Sequence, residues 1–182
     1  MKRAVFLDRD GTLIEEVGYL DRLDRVTFFP FSVDAVRLLN RAGFTVVVVT
    51  NQAGIGRGFF DESFVEETHR TLSDRLAAGG AAIDAFYFCP HHPEATRPDY
   101  KQACDCRKPL PGMLNRAALD HDIDLAASFV VGDRGHDIAA GTAVGARGVL
   151  VRTGYGASAA NHGAAAVTDN LMGAVSWILQ QP

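Results

Sequence analysis

Long apolar runs, surplus positive charge and a paired set of cysteines are all missing from this 182-residue chain. No stretch approaches the roughly 20 apolar residues that a membrane-spanning helix needs. Lys2 and Arg3 precede an apolar run, but Val5-Phe6-Leu7 gives way at once to Asp8, too early for a secretory core, so neither a leader nor an anchor is expected. Lys and Arg number 18 against 22 Asp and Glu, a net charge of -4 with no basic stretch, which argues against a nucleic-acid partner. A phosphorylated ligand would have to be held by local cations, not by a global field. The three cysteines, Cys89, Cys104 and Cys106, are odd in number and fall in one short region. That excludes a disulfide framework and fits a metal cluster in a reducing cytoplasm.

What remains is ordinary for a globular protein: 47% hydrophobic and 22% charged residues. The length suits a single domain over residues 1–182, large enough to bury a core unaided. No internal repeat is visible, and the Ala/Gly-rich stretch 157–166 reads as a surface loop. No exposed apolar helix face stands out, so a monomer is expected.

Apolar periodicity yields an alternation of strands and helices. Strands are expected at Ala4–Leu7, Thr45–Val49, Ala85–Phe88, Phe129–Val131 and Gly148–Val151. Helices are expected at Ser32–Arg41, Asp61–Leu76, Pro111–Asp120, Ile138–Val144 and Leu171–Leu179. The β-branched run Thr45–Val49 reads as a central strand covered on both faces. Alternation of this kind predicts an α/β fold, an open parallel sheet flanked by helices. Ligands of such sheets bind beyond the carboxyl ends of the strands. Those ends carry Asp8 and Asp10, Thr50 and Asn51, Cys89 and His91, and Asp133.

Asp8-Arg9-Asp10-Gly11-Thr12 is the strongest signal. Asp-Gly pairs also serve ordinary turns, but here the pair leaves a buried strand. Cys89, Cys104 and Cys106 with one imidazole form a Cys₃His set suited to tetrahedral zinc, with His91 and His92 both in reach of that role. The segment 89–108 has no periodicity, which is rare in a compact domain unless something organises it. Lys108 lies two residues past Cys106, so a structural metal would fix the loop that delivers this cation.

The segment Asp8-Arg9-Asp10-Gly11-Thr12 resembles the first motif of the haloacid-dehalogenase-like phosphatases. Thr50-Asn51-Gln52, Lys108 and Gly132-Asp133-Arg134-Gly135-His136-Asp137 resemble the motifs that follow it in order. The resemblance implies a Rossmann-like core without a large cap domain. It makes Asp8 the nucleophile that forms an aspartyl-phosphate and Asp10 the general acid and base, a part that requires anionic neighbours if Asp10 is to carry a proton. It implies Mg²⁺ on Asp8, the Asp10 carbonyl and Asp133, with Asp137 behind them, and Thr50, Asn51 and Lys108 around the transferring phosphoryl oxygens.

Cys89-Pro90-His91-His92-Pro93 and Cys104-Asp105-Cys106-Arg107-Lys108-Pro109 narrow the resemblance to the D-glycero-D-manno-heptose 1,7-bisphosphate phosphatases and the related histidinol-phosphate phosphatases. It covers the chain from Val5 to about Gly154 and implies zinc on Cys89, His91, Cys104 and Cys106. The length of the loop, and Thr50–Gly58, favour the heptose type, although Ala53, Gly56 and Arg134 depart from the residues expected there. The implied reaction is hydrolysis of the C7 phosphate of a sugar bisphosphate in the lipopolysaccharide precursor pathway. Arg57 and Arg107 are candidates for the distal phosphate, because arginine binds phosphate bidentately. Two other classes compete. A zinc-stapled interaction module would not need the strand-end carboxylates, and a phosphoryl transferase would need a cap to exclude water.

Overall fold

A computed structural model describes residues 1–158 and 160–182. Six strands form one parallel sheet: β1 Ala4–Leu7, β2 Thr45–Asn51, β3 Ala85–Cys89, β4 Phe129–Gly132, β5 Arg147–Val151 and β6 Ala166–Thr168, in the order β3-β2-β1-β4-β5-β6. The helices are α1 Ser32–Arg41, α2 Ala53–Gly56, α3 Glu62–Ala78, α4 Gly112–His121, α5 Gly135–Thr142 and α6 Leu171–Ile178. Among the described residues no helix is long and apolar enough to cross a membrane.

Alternation along β1 and β2 sends side chains to two cores. Val5, Leu7, Val46 and Val48 pack with α1, α3 and α6, whereas Ala4, Phe6, Val47 and Val49 pack with α4. Both faces are thus covered, which is why β2 can afford an unbroken run of valines. The chain steps outward from β1 to β3 on one side, then returns to place β4 on the other. The sheet therefore reverses direction between β1 and β4, and the carboxyl ends of these two strands open a crevice there. Asp8 and Asp133 follow those ends directly.

The expected elements are present, with shifts at their edges. Asp61 caps α3, its carboxylate accepting from the Phe64 amide at 3.0 Å. Helix α5 begins at Gly135, three residues before the expected start, because Asp137 caps it: its Oδ2 accepts from the Arg134 amide at 3.0 Å. The stretch 157–166 is not all loop. Gly154–Ser158 forms a 3₁₀ turn and Ala166 opens the edge strand β6, while Ala159 lies outside the described residues.

Candidate active site

The crevice holds a pocket of about 260 Å³ lined by Asp8, Arg9, Asp10, Glu16, Tyr19, Thr50, Gln52, Arg107, Arg134 and His136, among others. That is below the ~300–1,000 Å³ common for drug-sized ligands, and the lining is largely charged, so the space suits a small polar molecule.

Asp8 sits at the floor, buried. Its Oδ1 accepts from Lys108 Nζ at 2.8 Å, and the same ammonium contacts Asp137 Oδ1 at 2.6 Å and donates to the Val49 carbonyl at 2.7 Å. Lys108 thus makes two hydrogen bonds, to Asp8 and Val49, and a close ion pair with Asp137, so it holds one oxygen of Asp8 and offsets two buried carboxylates. Burial works against the Lys108 charge, but Asp137 and Asp8 outweigh it and push its pKa above the ordinary lysine value.

Asn51 lines the pocket and reaches the Lys108 backbone. Its amide nitrogen donates to the Lys108 carbonyl at 3.0 Å, and its carbonyl oxygen accepts from the Lys108 amide at 3.0 Å. The side chain clamps the Lys108 backbone and so helps hold the cation in place, while its second amide proton remains on the pocket side. Thr50 lies on the pocket wall, where its Oγ1 accepts from Gln52 at 2.8 Å and keeps its own proton to donate.

Asp8, Asp133 and Asp137 each bring a carboxylate oxygen within 4.8 Å of the others. Asp137 is already held by Lys108 and by the Arg134 amide. Asp133 Oδ2 accepts from the Tyr155 amide at 2.7 Å, and its buried Oδ1 has neither a hydrogen bond nor an ion pair among the described residues. Burial pushes Asp8 up to about 6 and Asp133 up to about 7, with the charges of neighbouring carboxylates adding to the rise. An orphaned buried carboxylate oxygen beside a second buried carboxylate is a fit for a hard cation with oxygen ligands. Gly11 and Gly154, both at positive φ, make the slot, since a Cβ on either would collide with Asp133 Oδ2.

The Asp10 carboxylate is contacted by Arg9, through Nε at 3.0 Å and Nη2 at 3.1 Å, and by Gln52 at 3.0 Å, with Asp8 and Glu16 as nearby acids. Neither Arg9 nor Gln52 was singled out from the sequence, because a residue between two motif aspartates reads as a spacer and an arginine reads as surface. The wall also carries His136, which burial and then Lys108 push down to about 4. Arg134, on the wall as well, stacks on the Tyr155 ring at 3.6 Å.

Beyond the pocket, Cys89, His91, Cys104 and Cys106 converge, their ligand atoms within 4.8 Å of one another and the cysteines unpaired. A tetrahedron with metal–sulfur bonds of about 2.3 Å has edges of about 3.8 Å. Cys89 Sγ lies 3.7 Å from Cys104 Sγ and 3.8 Å from His91 Nδ1, and Cys106 Sγ lies 3.4 Å from that nitrogen. The Cys106–Cys89 contact is tighter, at 2.9 Å. This cluster could bind a metal. Between the two histidines the choice falls on His91, since His92 faces the pocket and accepts from the Glu94 amide at 3.0 Å. Arg107 joins the two sites: it lines the pocket, and its Nη1 donates to the His91 carbonyl at 3.2 Å. Arg57, expected beside Arg107, is set back from the wall, 3.5 Å from Glu94 and 6.0 Å over the Tyr19 ring.

Comparison with known proteins agrees with this geometry. Residues 105–174 match a family model described as HAD-hydrolase-like. The chain is 46% identical over 153 residues to the D-glycero-beta-D-manno-heptose-1,7-bisphosphate 7-phosphatase of Photorhabdus laumondii, covering 83% of this chain and 81% of that one. It is 42% identical over 178 residues to the protein of that name in Escherichia coli strain K12, covering 97% and 87%. The crystal structure of D,D-heptose 1,7-bisphosphate phosphatase from B. bronchiseptica, complexed with magnesium and phosphate, superposes with a TM-score of 0.88 at 34% identity, covering 99% of both chains.

Proposed function

The chain belongs to the haloacid-dehalogenase-like phosphatases, the family of these heptose-bisphosphate enzymes, and on that premise we propose that it hydrolyses the C7 phosphate of D-glycero-D-manno-heptose 1,7-bisphosphate. The observation that carries the proposal is Asp8 at the switch point of the sheet, oriented by Lys108 and facing a small charged pocket. Asp8 attacks phosphorus, the bond to the sugar oxygen breaks, and Asp10 gives that oxygen a proton. Water then attacks phosphorus, Asp10 takes its proton, and the bond to Asp8 breaks to release inorganic phosphate. Thr50 donates to a phosphoryl oxygen throughout. Asp8, Asp133 and the Asp10 carbonyl would hold Mg²⁺, with Asp137 holding Lys108 behind them. When bound, the ion supplies charge that stabilises the phosphoryl oxygens.

The distal C1 phosphate is assigned chiefly to Arg107, because Arg107 is on the pocket wall and Arg57 is not. Charge-assisted bonds of this kind are worth roughly 1.5–3 kcal/mol. Arg107→Ala should therefore lower kcat/KM on the bisphosphate by about ten- to a hundredfold and spare an aryl phosphate. Arg57→Ala should cost less on both. Equal losses of Arg107→Ala on the two substrates would assign Arg107 to the fold or the transferring group. Faster turnover of histidinol phosphate than of the heptose would overturn the substrate.

The Cys₃His cluster is assigned to zinc, in a structural part. Burial, foremost, pushes the thiol of Cys106 up to about 11 and that of Cys89 higher still, so a bound metal must displace protons. Protein purified without chelators should hold about one zinc per chain. Cys104→Ser should lower zinc content and Tm by roughly 5–10 °C, equivalent to about 2–3 kcal/mol for a chain of this size. Turnover should fall only in part, since Asn51 and the Val49 carbonyl still hold Lys108. Metal analysis that finds no zinc would refute the assignment.

A further inference from the structure

Arg9 is 2% exposed and heads the largest fully buried side chains of the fold. Burying a guanidinium costs several kcal/mol unless it is paired and hydrogen-bonded. Its pairing is with Asp10: Nε donates to Oδ2 at 3.0 Å and Nη2 to Oδ1 at 3.1 Å, with Nη2 also 3.0 Å from Oδ2, a two-point hold weighted towards Oδ2. Gln52, 5% exposed, adds a second hold on the same oxygen, its Nε2 donating to Oδ2 at 3.0 Å. The other amide proton of Gln52 goes to Thr50 Oγ1 at 2.8 Å.

A carboxylate offers about four lone-pair sites, two on each oxygen. Here both sites of Oδ2 are filled, by Arg9 and Gln52, and one site of Oδ1 is filled by Arg9. A single site remains, on Oδ1. We propose that Arg9 and Gln52 are positioning residues that select Asp10 Oδ1 as the atom that handles the proton. In the first half-reaction the proton passes from Oδ1 to the sugar oxygen as its bond to phosphorus breaks and the bond from Asp8 forms. In the second, a water oxygen bonds to phosphorus, its proton passes to Oδ1, and the bond to Asp8 breaks. Gln52 does a second service in the same geometry. By donating to Thr50 Oγ1, it turns that hydroxyl's own proton towards the pocket. Arg9 and Gln52 thus tie the orientation of the acid to that of the phosphate donor.

The inference rests on Asp10 being the acid and base of the proposed phosphatase. Its test separates the two claims through the leaving group. The quantity kcat/KM covers the steps up to departure of the alcohol. An alkyl phosphate needs a proton on its leaving oxygen, whereas dinitrophenyl phosphate, with a far better leaving group, does not. Arg9→Lys keeps the charge and loses the two-point hold. Gln52→Leu removes the amide at similar size without touching a charge, so it carries the test if Arg9→Lys fails to fold. The loss of kcat/KM on the alkyl ester should exceed the loss on the dinitrophenyl ester by about tenfold or more in each folded variant. Equal losses on both esters would make Arg9 and Gln52 merely structural and overturn the inference, while the function stands. No Asp8-dependent phosphate release by the wild-type protein on either ester would overturn the function, and the inference with it.

Discussion

Asp8→Asn should lower turnover by about four orders of magnitude or more while leaving the fold standing, the scale on which losing a covalent nucleophile acts. A neutral amide is a very poor nucleophile towards phosphorus at neutral pH, yet it fills the same space. Burial already disfavours the charge at this position, since Asp8 is pushed up to about 6. Lys108 would keep two of its three partners, Asp137 and the Val49 carbonyl. The variant should therefore keep its circular dichroism and its zinc. Wild-type phosphate release from purified Asp8→Asn would remove Asp8 from the chemistry.

The second large effect is expected at Lys108. Lys108→Met leaves Asp8 and Asp137 buried with their cation gone, a change that costs about 3–5 kcal/mol when one partner of a buried pair is removed. For a chain of this length that is a drop in Tm of roughly 10 °C or more. The pH dependence carries the sign. Burial, foremost, holds Asp8 above the usual carboxylate range, and Lys108 is the leading influence pulling it back down. Without Lys108 its folded pKa rises further above its unfolded value, so the folded state binds more protons than the unfolded one. Such a group destabilises above its folded pKa and does so progressively less as pH falls through it. The deficit of Lys108→Met, measured without Mg²⁺, should thus shrink between pH 8 and pH 5.5. A deficit that grows over that range, or none at all, would contradict the charge balance described here.

The elements that place the site were legible because their signals are local. Strands β1 and β2 are short apolar runs that stop on polar residues, and α3 starts on an aspartate that caps it. Strand β6 was not legible. It is three half-buried residues at the sheet edge, set in an Ala/Gly-rich stretch with no alternation to read. Helix α5 was read three residues short, since its first turn, Gly135-His136-Asp137, has no apolar face and owes its start to a cap.

The site divides in the same way. Asp8 and Asp133 converge as their strand ends promised, and the Cys₃His cluster gathers as its ligand set did. What pairing alone decides was hidden. The Asn51 amide bonds to a backbone 57 residues away, Lys108 is held by Asp8, the Val49 carbonyl and the charge of Asp137, and Arg9 is buried against its own neighbour. Spacing tells which side chains reach a crevice. It does not tell which of their hydrogen bonds are already made, such as those by which Asn51 clamps the Lys108 backbone.

The central claim is a covalent intermediate on Asp8, and acid-quenched mass spectrometry tests it most directly. Asp10→Asn protein, which lacks the base for the second half-reaction, would be mixed with Mg²⁺ and dinitrophenyl phosphate, whose leaving group departs without the acid of the first, then quenched within one turnover and digested. The account predicts one phosphoryl group on the peptide that carries Asp8, absent when Asp8 is also replaced by Asn. Phosphate release by the wild-type protein with no phosphoryl group on that peptide at any quench time would mean that water attacks the substrate directly, and the nucleophilic role of Asp8 would be wrong.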